Sequence, residues 1–240
     1  MACARVLDAP LDGPVCRPCW NQVRPLAPPL CRTCGDPLPS WRVMSITLER
    51  CSRCRRRPTL VTCARAAGVY DGALREVLHA FKYDGRRGLA RPLGALMRTA
   101  GDNLLRDADC VVPVPLHWWR QMRRGFNQAD DLARQLGLPV TRVLCRSRPT
   151  LPQTGLNAAA RRRNVRGAFG VSPLVGSKCS RRPLSDRVVV LVDDVRTTGA
   201  TLEACAAVLR LLGTREVRAL TAATAAPPLH PGSGYRIDSP

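Results

Sequence analysis

VVVLVDDVRTTGAT, residues 188–201, is the stretch from which the rest of the chain is read. A run of valine and leucine over residues 188–192 leads into two adjacent carboxylates, Asp193 and Asp194. Such a run reads as a buried strand of a parallel sheet. Thr197, Thr198, Gly199 and Thr201 make a short polar loop, and residues 202–212 then repeat apolar side chains at helical spacing. Strand, loop and helix in that order build an anion site, because the first N–H groups of a helix lack internal partners and its dipole is positive there. Gly199 lets the backbone come close to a ligand, and threonine hydroxyls donate to phosphate oxygens. Two carboxylates before the loop suit hydroxyls, a metal ion, or both, and a sugar phosphate meets all of these demands. The plainer alternative is a strand ending in a polar turn with solvated acids. The acids, threonines and glycine coincide at one strand end, where open α/β sheets bind ligands, and this argues against it. G-x-x-x-x-G-K-[ST] is absent, which excludes a P-loop.

The length of 240 residues accommodates one α/β domain and a small module. No apolar run approaches the roughly 20 residues needed to span a bilayer. The first residues lack a basic region followed by an apolar core, so the expectation is a cytoplasmic protein without a signal peptide. The net charge is +20, carried almost wholly by arginine, since Lys82 and Lys178 are the only lysines. Eleven basic residues and no acid lie between Asp131 and Asp186. This favours phosphorylated small molecules or nucleic acid as partners. Aromatic residues make up only 4%, so no stacking platform for single-stranded nucleic acid is evident.

Seven of twelve cysteines precede residue 55. Cys16/Cys19, Cys31/Cys34 and Cys51/Cys54 are C-x-x-C pairs, the knuckle spacing of tetrahedral zinc. Redox chemistry also uses C-x-x-C, but as one pair beside a βαβ unit. Structural zinc is the expectation, with three pairs offering six ligands where one ion takes four, and the sharing of metal between pairs left open. Cys3 is a seventh candidate ligand, which an upstream start would complete into a fourth pair. Cys63, Cys110, Cys145, Cys179 and Cys205 are isolated and read as small buried hydrophobes.

Residues 1–62 are thus assigned to a cysteine-rich module, 63–225 to an α/β domain and 226–240 to a disordered tail. Within the domain, residues 63–72 read as a strand and turn, 73–82 and 89–100 as helices, 109–115 as a strand, 130–136 as a helix and 216–222 as a strand. His79 falls off the apolar stripe and reads as a surface residue. Lys82, Arg86 and Arg87 either face the site or form a solvated loop. Gly213 reads as a helix C-cap. Two polar stretches remain. One is RQMRRGFNQA, residues 120–129. The other runs from Arg146 to Phe169 and includes Arg161, Arg162 and Arg163. Guanidiniums bind phosphate in bidentate fashion.

The DD-VRTTGAT stretch resembles the 5-phosphoribosyl-1-pyrophosphate (PRPP) signature of type I phosphoribosyltransferases. With RRGFNQ and the cysteine pairs before it, the chain is similar to the ComF family, over roughly residues 1–225. The resemblance implies a Rossmann-type parallel sheet with helices on both faces behind a small zinc-ribbon-like module. It implies that Asp193 and Asp194 hold the ribose hydroxyls. Val195, Arg196, Thr197, Thr198, Gly199, Ala200 and Thr201 would wrap the 5-phosphate, with Arg196 adding positive charge. By position, Val114, Pro115 and Leu116 would contact pyrophosphate. Arg123 and Arg124, with Gly125, Asn127 and Gln128, and the run Arg161, Arg162 and Arg163, would form a mobile basic loop that meets it. Mg²⁺ would accompany PRPP. Two functions follow: transfer of ribose 5-phosphate to an unidentified acceptor, or single-stranded-DNA handling together with DNA-uptake proteins. A non-catalytic PRPP sensor is a third.

Overall fold

The computed structural model describes residues 15–38, 49–148, 158–165, 167–173 and 184–225. The tail, Cys3, Cys179 and residues 149–157 of the second polar stretch lie outside the described residues.

The sequence 188–192 is a strand because valine and leucine fill a pleated surface covered on both sides. It opens β5, Val188–Arg196, whose first five residues are fully buried. β5 pairs in parallel with β6, Glu216–Thr224, and with β2, Cys110–Pro113. β6 in turn pairs in parallel with β1, Cys63–Val69, giving the order β1-β6-β5-β2. Parallel neighbours need crossovers, and helices supply them. These are α3 (Gly72–Tyr83), α4 (Ala90–Leu105), α5 (Trp118–Arg124), α6 (Gln128–Ala133), α7 (Ala158–Val165) and α8 (Ala200–Leu211). Two further short helices, α1 (Arg17–Asn21) and α2 (Ser52–Arg56), lie in the cysteine-rich segment.

Period-two alternation divides each strand between two cores. Val111, Val190, Val192, Leu220 and Ala222 meet Leu74, Leu78, Phe81, Leu93, Met97 and Leu132 of α3, α4 and α6. Cys110, Val112, Val189, Leu191, Val217 and Ala219 meet Leu202, Cys205, Ala206 and Leu209 of α8. That second face also receives β3 (Leu144–Arg146) and β4 (Phe169–Val171), an antiparallel pair. The sheet is therefore covered on both faces, as the sequence led one to expect.

The strands and long helices match their sequence expectations closely. Gly213 follows α8 with φ 86°, and Pro92 sits in the first turn of α4, where its missing N–H costs nothing. The helix expected at residues 130–136 begins earlier because the Asn127 side chain accepts the Ala129 N–H at 3.1 Å. Three elements carry no clear sequence signal: α5, α7 and the β3–β4 pair. Cys110 and Cys205 are buried as expected, whereas Cys63 and Cys145 are partly exposed. No helix among the described residues is long and apolar enough to cross a membrane.

Gly101 lets α4 lie directly on β6. A Cβ there would stand 2.6 Å from Leu220 Cδ2 and 2.8 Å from Cδ1. Gly101→Val is therefore expected to cost about 1–3 kcal/mol by overpacking. The check is a urea midpoint that falls while the slope of the transition stays unchanged.

Candidate functional site

At the carboxyl end of β5 the burial of the strand gives way to half-buried Asp193 and Asp194. Three further residues, 197–199, belong to no strand or helix. Gly199 then takes φ 78°, a conformation that side chains resist, and turns the chain into α8. The Ala200 N–H points at the Thr198 hydroxyl, 3.4 Å away. Strand end, polar loop and helix start therefore stand in the order read from the sequence.

The two carboxylates sit in an uneven environment. The Asp194 N–H donates to Asp193 Oδ1 at 2.9 Å. Lys82, on the last turn of α3, places Nζ 3.1 Å from Asp194 Oδ1, with about one-seventh of each side chain exposed. The Tyr70 ring lies beneath that ammonium, its centroid 5.9 Å from Nζ. Burial works against the Lys82 charge, but Asp194 outweighs it and holds the ammonium above its ordinary pKa. Asp193 is pushed up to about 7, first by burial and then by the Asp194 charge; Lys82 and Arg146 pull the other way. Of the two readings for Lys82, the structure selects the one facing the site. Arg87 instead forms a bidentate pair with buried Asp131, both contacts 2.7 Å, and Arg86 is exposed.

The loop after β2 lies beside β5. The Val114 N–H donates to the Val192 carbonyl at 2.9 Å, and Asn127 Nδ2 donates to the Val114 carbonyl at 3.1 Å. Asn127 and Gln128 are not on a loose basic loop: they cap and begin α6, and Gln128 is 1% exposed. Gly125, at φ 76°, ends α5. Arg124 stacks 4.8 Å from the Tyr83 ring centre and donates to Gln128 Oε1 at 3.2 Å. It thereby ties α3, α5 and α6 together. Arg161, Arg162 and Arg163 fall in α7, where Arg163 is exposed; the side chains of Arg123, Arg161 and Arg162 lie outside the described residues.

Arg196 departs from its expectation. Its backbone is in β5, but its guanidinium turns away from the loop and is 4% exposed. There it forms an ion pair with Asp36 of the cysteine-rich segment. A charge aimed at the phosphate loop is thus replaced by a bond to the N-terminal module.

Among the described residues, four thiols of that module come together, from two of the three cysteine pairs. The sulfurs of Cys31, Cys34, Cys51 and Cys54 all lie within 4.8 Å of one another. Cys34 Sγ and Cys51 Sγ are 3.7 Å apart. A Zn–S bond of 2.3 Å gives a tetrahedron edge of about 3.8 Å, so the four thiols fit zinc. The Cys31 thiol is pushed down to about 4, chiefly by its hydrogen bond with Cys34, whose own thiol is pushed up by the same contact. Cys16 and Cys19, before and in α1, are not in that cluster, and Cys19 is buried in the core that includes α3.

Two features carried no sequence signal. One is the Asp36–Arg196 pair. The other is a face of α5 where Trp118, Trp119 and Met122 are 60%, 55% and 73% exposed. The low aromatic content hid it, because two of four tryptophans fall side by side.

Residues 1–55 match the double zinc ribbon domain family, and residues 122–233 match the phosphoribosyl transferase domain family. Competence protein F of Haemophilus influenzae is 32% identical over 214 residues, covering 85% of this chain and 87% of that protein. The DNA utilization protein YhgH of Escherichia coli O157:H7 is 32% identical over 206 residues, with 79% and 81% covered. Competence protein ComFC of Bacillus subtilis is 26% identical over 195 residues, with 80% and 75% covered.

Because the fold favours protonated Asp193, that contribution to stability is full below the ordinary carboxylate range. It is lost as pH rises through about 7. The wild-type melting temperature is expected to fall more between pH 5 and pH 8 than that of Asp193→Asn. Parallel pH profiles of the two proteins would refute the assignment of that proton to Asp193.

Proposed function

Since the chain belongs to the ComF family, with a phosphoribosyltransferase domain and a zinc ribbon, we propose that it binds PRPP and transfers ribose 5-phosphate to an acceptor. The observation that carries this reading is the Asp193–Asp194 pair, set at the end of a buried parallel strand directly before a glycine turn and a helix N-terminus. Asp193 and Asp194 accept the two ribose hydroxyls. Residues 195–201 wrap the 5-phosphate with backbone N–H groups and the threonine hydroxyls, at the positive end of α8. Lys82 holds Asp194 in place until the sugar arrives. The bond from C1 to pyrophosphate breaks with both electrons on the leaving oxygen, and the acceptor's lone pair forms the new bond at C1. The carboxylates offset the positive charge that develops on the ribose ring. Arg123, Arg124 and the run Arg161, Arg162 and Arg163 provide cations for the departing pyrophosphate. Mg²⁺ bound together with PRPP would supply neutralisation of charge on the leaving group. The cytoplasmic location and the domain limits at residues 62 and 225 belong to the same proposal.

A DNA-handling role has its own support in the exposed face of α5. Two indole rings and a methionine exposed on one face of α5, in a strongly basic chain, suit stacked bases. The names of the relatives, competence and DNA utilization proteins, point the same way.

Calorimetric titration with PRPP and Mg²⁺ tests the first reading. The combined change Asp193→Asn and Asp194→Asn should abolish binding and leave zinc content intact. Unchanged affinity sinks the site assignment. For the second, Trp118→Ala with Trp119→Ala should weaken binding of an oligo-thymidine strand at least tenfold, in keeping with about 1–3 kcal/mol per stacked base. The slope of affinity against salt should stay the same, because no phosphate contact is removed. An unchanged affinity would take the indoles out of the interface.

A further inference from the structure

The loop of residues 197–199 is held from behind by the cysteine-rich segment and its linker, at both of its ends. At the near end, Arg196 is the last residue of β5. Its guanidinium is fixed by Asp36, two residues past Cys34, and both side chains are more than nine-tenths buried. The second oxygen of Asp36 accepts Arg53 Nη2 at 2.7 Å, from α2 between Cys51 and Cys54. One carboxylate thus joins both cysteine knuckles to the end of β5. At the far end, Glu203 lies in the first turn of α8. It accepts the backbone N–H groups of Leu60 and Val61, at 2.9 and 3.4 Å, from the linker between α2 and β1.

The knuckle that carries Asp36 is itself seated on β1. The Ala64 N–H donates to the Thr33 carbonyl at 2.7 Å. Gly35, at φ 70°, passes so close that a Cβ would strike the Ala64 carbonyl oxygen. Between these two ties, among the described residues, the loop borders open space rather than a packed core. A groove of about 950 Å³ opens behind it, touched by Arg53, Arg196, Thr198, Gly199 and Glu203. The two polar ties flank that groove on either side of the loop.

We infer that Asp36, with Glu203 as its counterpart, is a positioning residue for the phosphate loop, and that through it the four-cysteine cluster governs how well that loop is formed. Among the described residues, the buried Asp36 carboxylate serves Arg196 and Arg53. If the knuckles loosen, Asp36 moves and Arg196 loses its counter-charge in a dry site. The inference about loop order stands on the free protein. Its consequence for ligand affinity rests on the PRPP reading above.

The test uses the full, zinc-loaded chain and hydrogen exchange read by mass spectrometry. Asp36→Asn keeps the shape of the side chain and removes its charge. The peptide spanning residues 195–203 should exchange at least tenfold faster, while peptides of β2, β6 and α4 keep their protection and zinc per chain is unchanged. Glu203→Gln should loosen the same peptide. Chelation of zinc should do so in the wild type and add little in Asp36→Asn. PRPP affinity should fall at least tenfold in Asp36→Asn. Arg196→Lys, which keeps a cation for Asp36, should lose less than Arg196→Gln. Equal loosening of every peptide would mean a general loss of stability and would overturn the inference, as would an unchanged loop. Should Asp36→Asn fail to fold, Glu203→Gln and the chelated wild type decide by the same loop peptide. If the wild type binds no PRPP, the functional reading fails, while the exchange pattern still decides the inference.

Discussion

Two carboxylates stand side by side where a sealed strand reaches the surface, and their mutual repulsion in a poorly hydrated place sets the terms for everything around them. Asp193 answers by keeping its proton to about pH 7, as burial and its neighbour's charge demand. Asp194 answers with a cation, Lys82, brought by the last turn of α3. Arg146, on β3, adds a more distant positive charge. These helpers come from separate elements of the chain, so the electrostatic arrangement exists only once the sheet and its covering layers have assembled. An ionic site of this kind is a poor source of stability. The stability comes from β5 and its neighbours, where valine and leucine are removed from water on both faces.

The parallel sheet also explains where the site lies. Each strand enters from a helix on one side and leaves by a loop on the other, so the loops after β2 and β5 meet at one edge. The contact between Val114 and Val192 draws them together, and Asn127 fastens the first loop from α6. Arg87 spends its charge on a cross-link to Asp131 rather than in open solution. A basic surface has here become partly a set of struts between helices, which its sequence alone does not distinguish from a surface awaiting an anion.

The cysteine-rich segment is too short to bury a core of its own. Four thiols meeting within a few ångströms take the place of that core, and metal ligation would supply the folding energy that packing lacks. Seated on β1, the module and its linker reach the residues on either side of loop 197–199 through Asp36 and Glu203. A charge expected at the phosphate, the Arg196 guanidinium, was found holding that module. Asp36, on the knuckle seated on β1, comes within reach of that guanidinium at the end of β5.

Much of this was legible beforehand. Residues 188–212 announced strand, acids, loop and helix by composition and period alone, because burial on both faces of a strand and on one face of a helix leaves no other pattern. Cys31/Cys34 and Cys51/Cys54 were legible as metal knuckles by spacing. The short elements α5 and α7 and the β3–β4 pair were not, since so few residues are held by tertiary contacts rather than by local preference. Nor could the chain say which cysteine pairs would meet, that Lys82 would face Asp194, or that Asp36 would reach across 160 positions to Arg196. The sequence by itself determined the sheet, the acids at its edge and the glycine turn into α8, for each follows from local period and side-chain chemistry. Tertiary structure alone decided which charges pair across the site and which module stands behind its loop, because those choices depend on how distant segments come together in space.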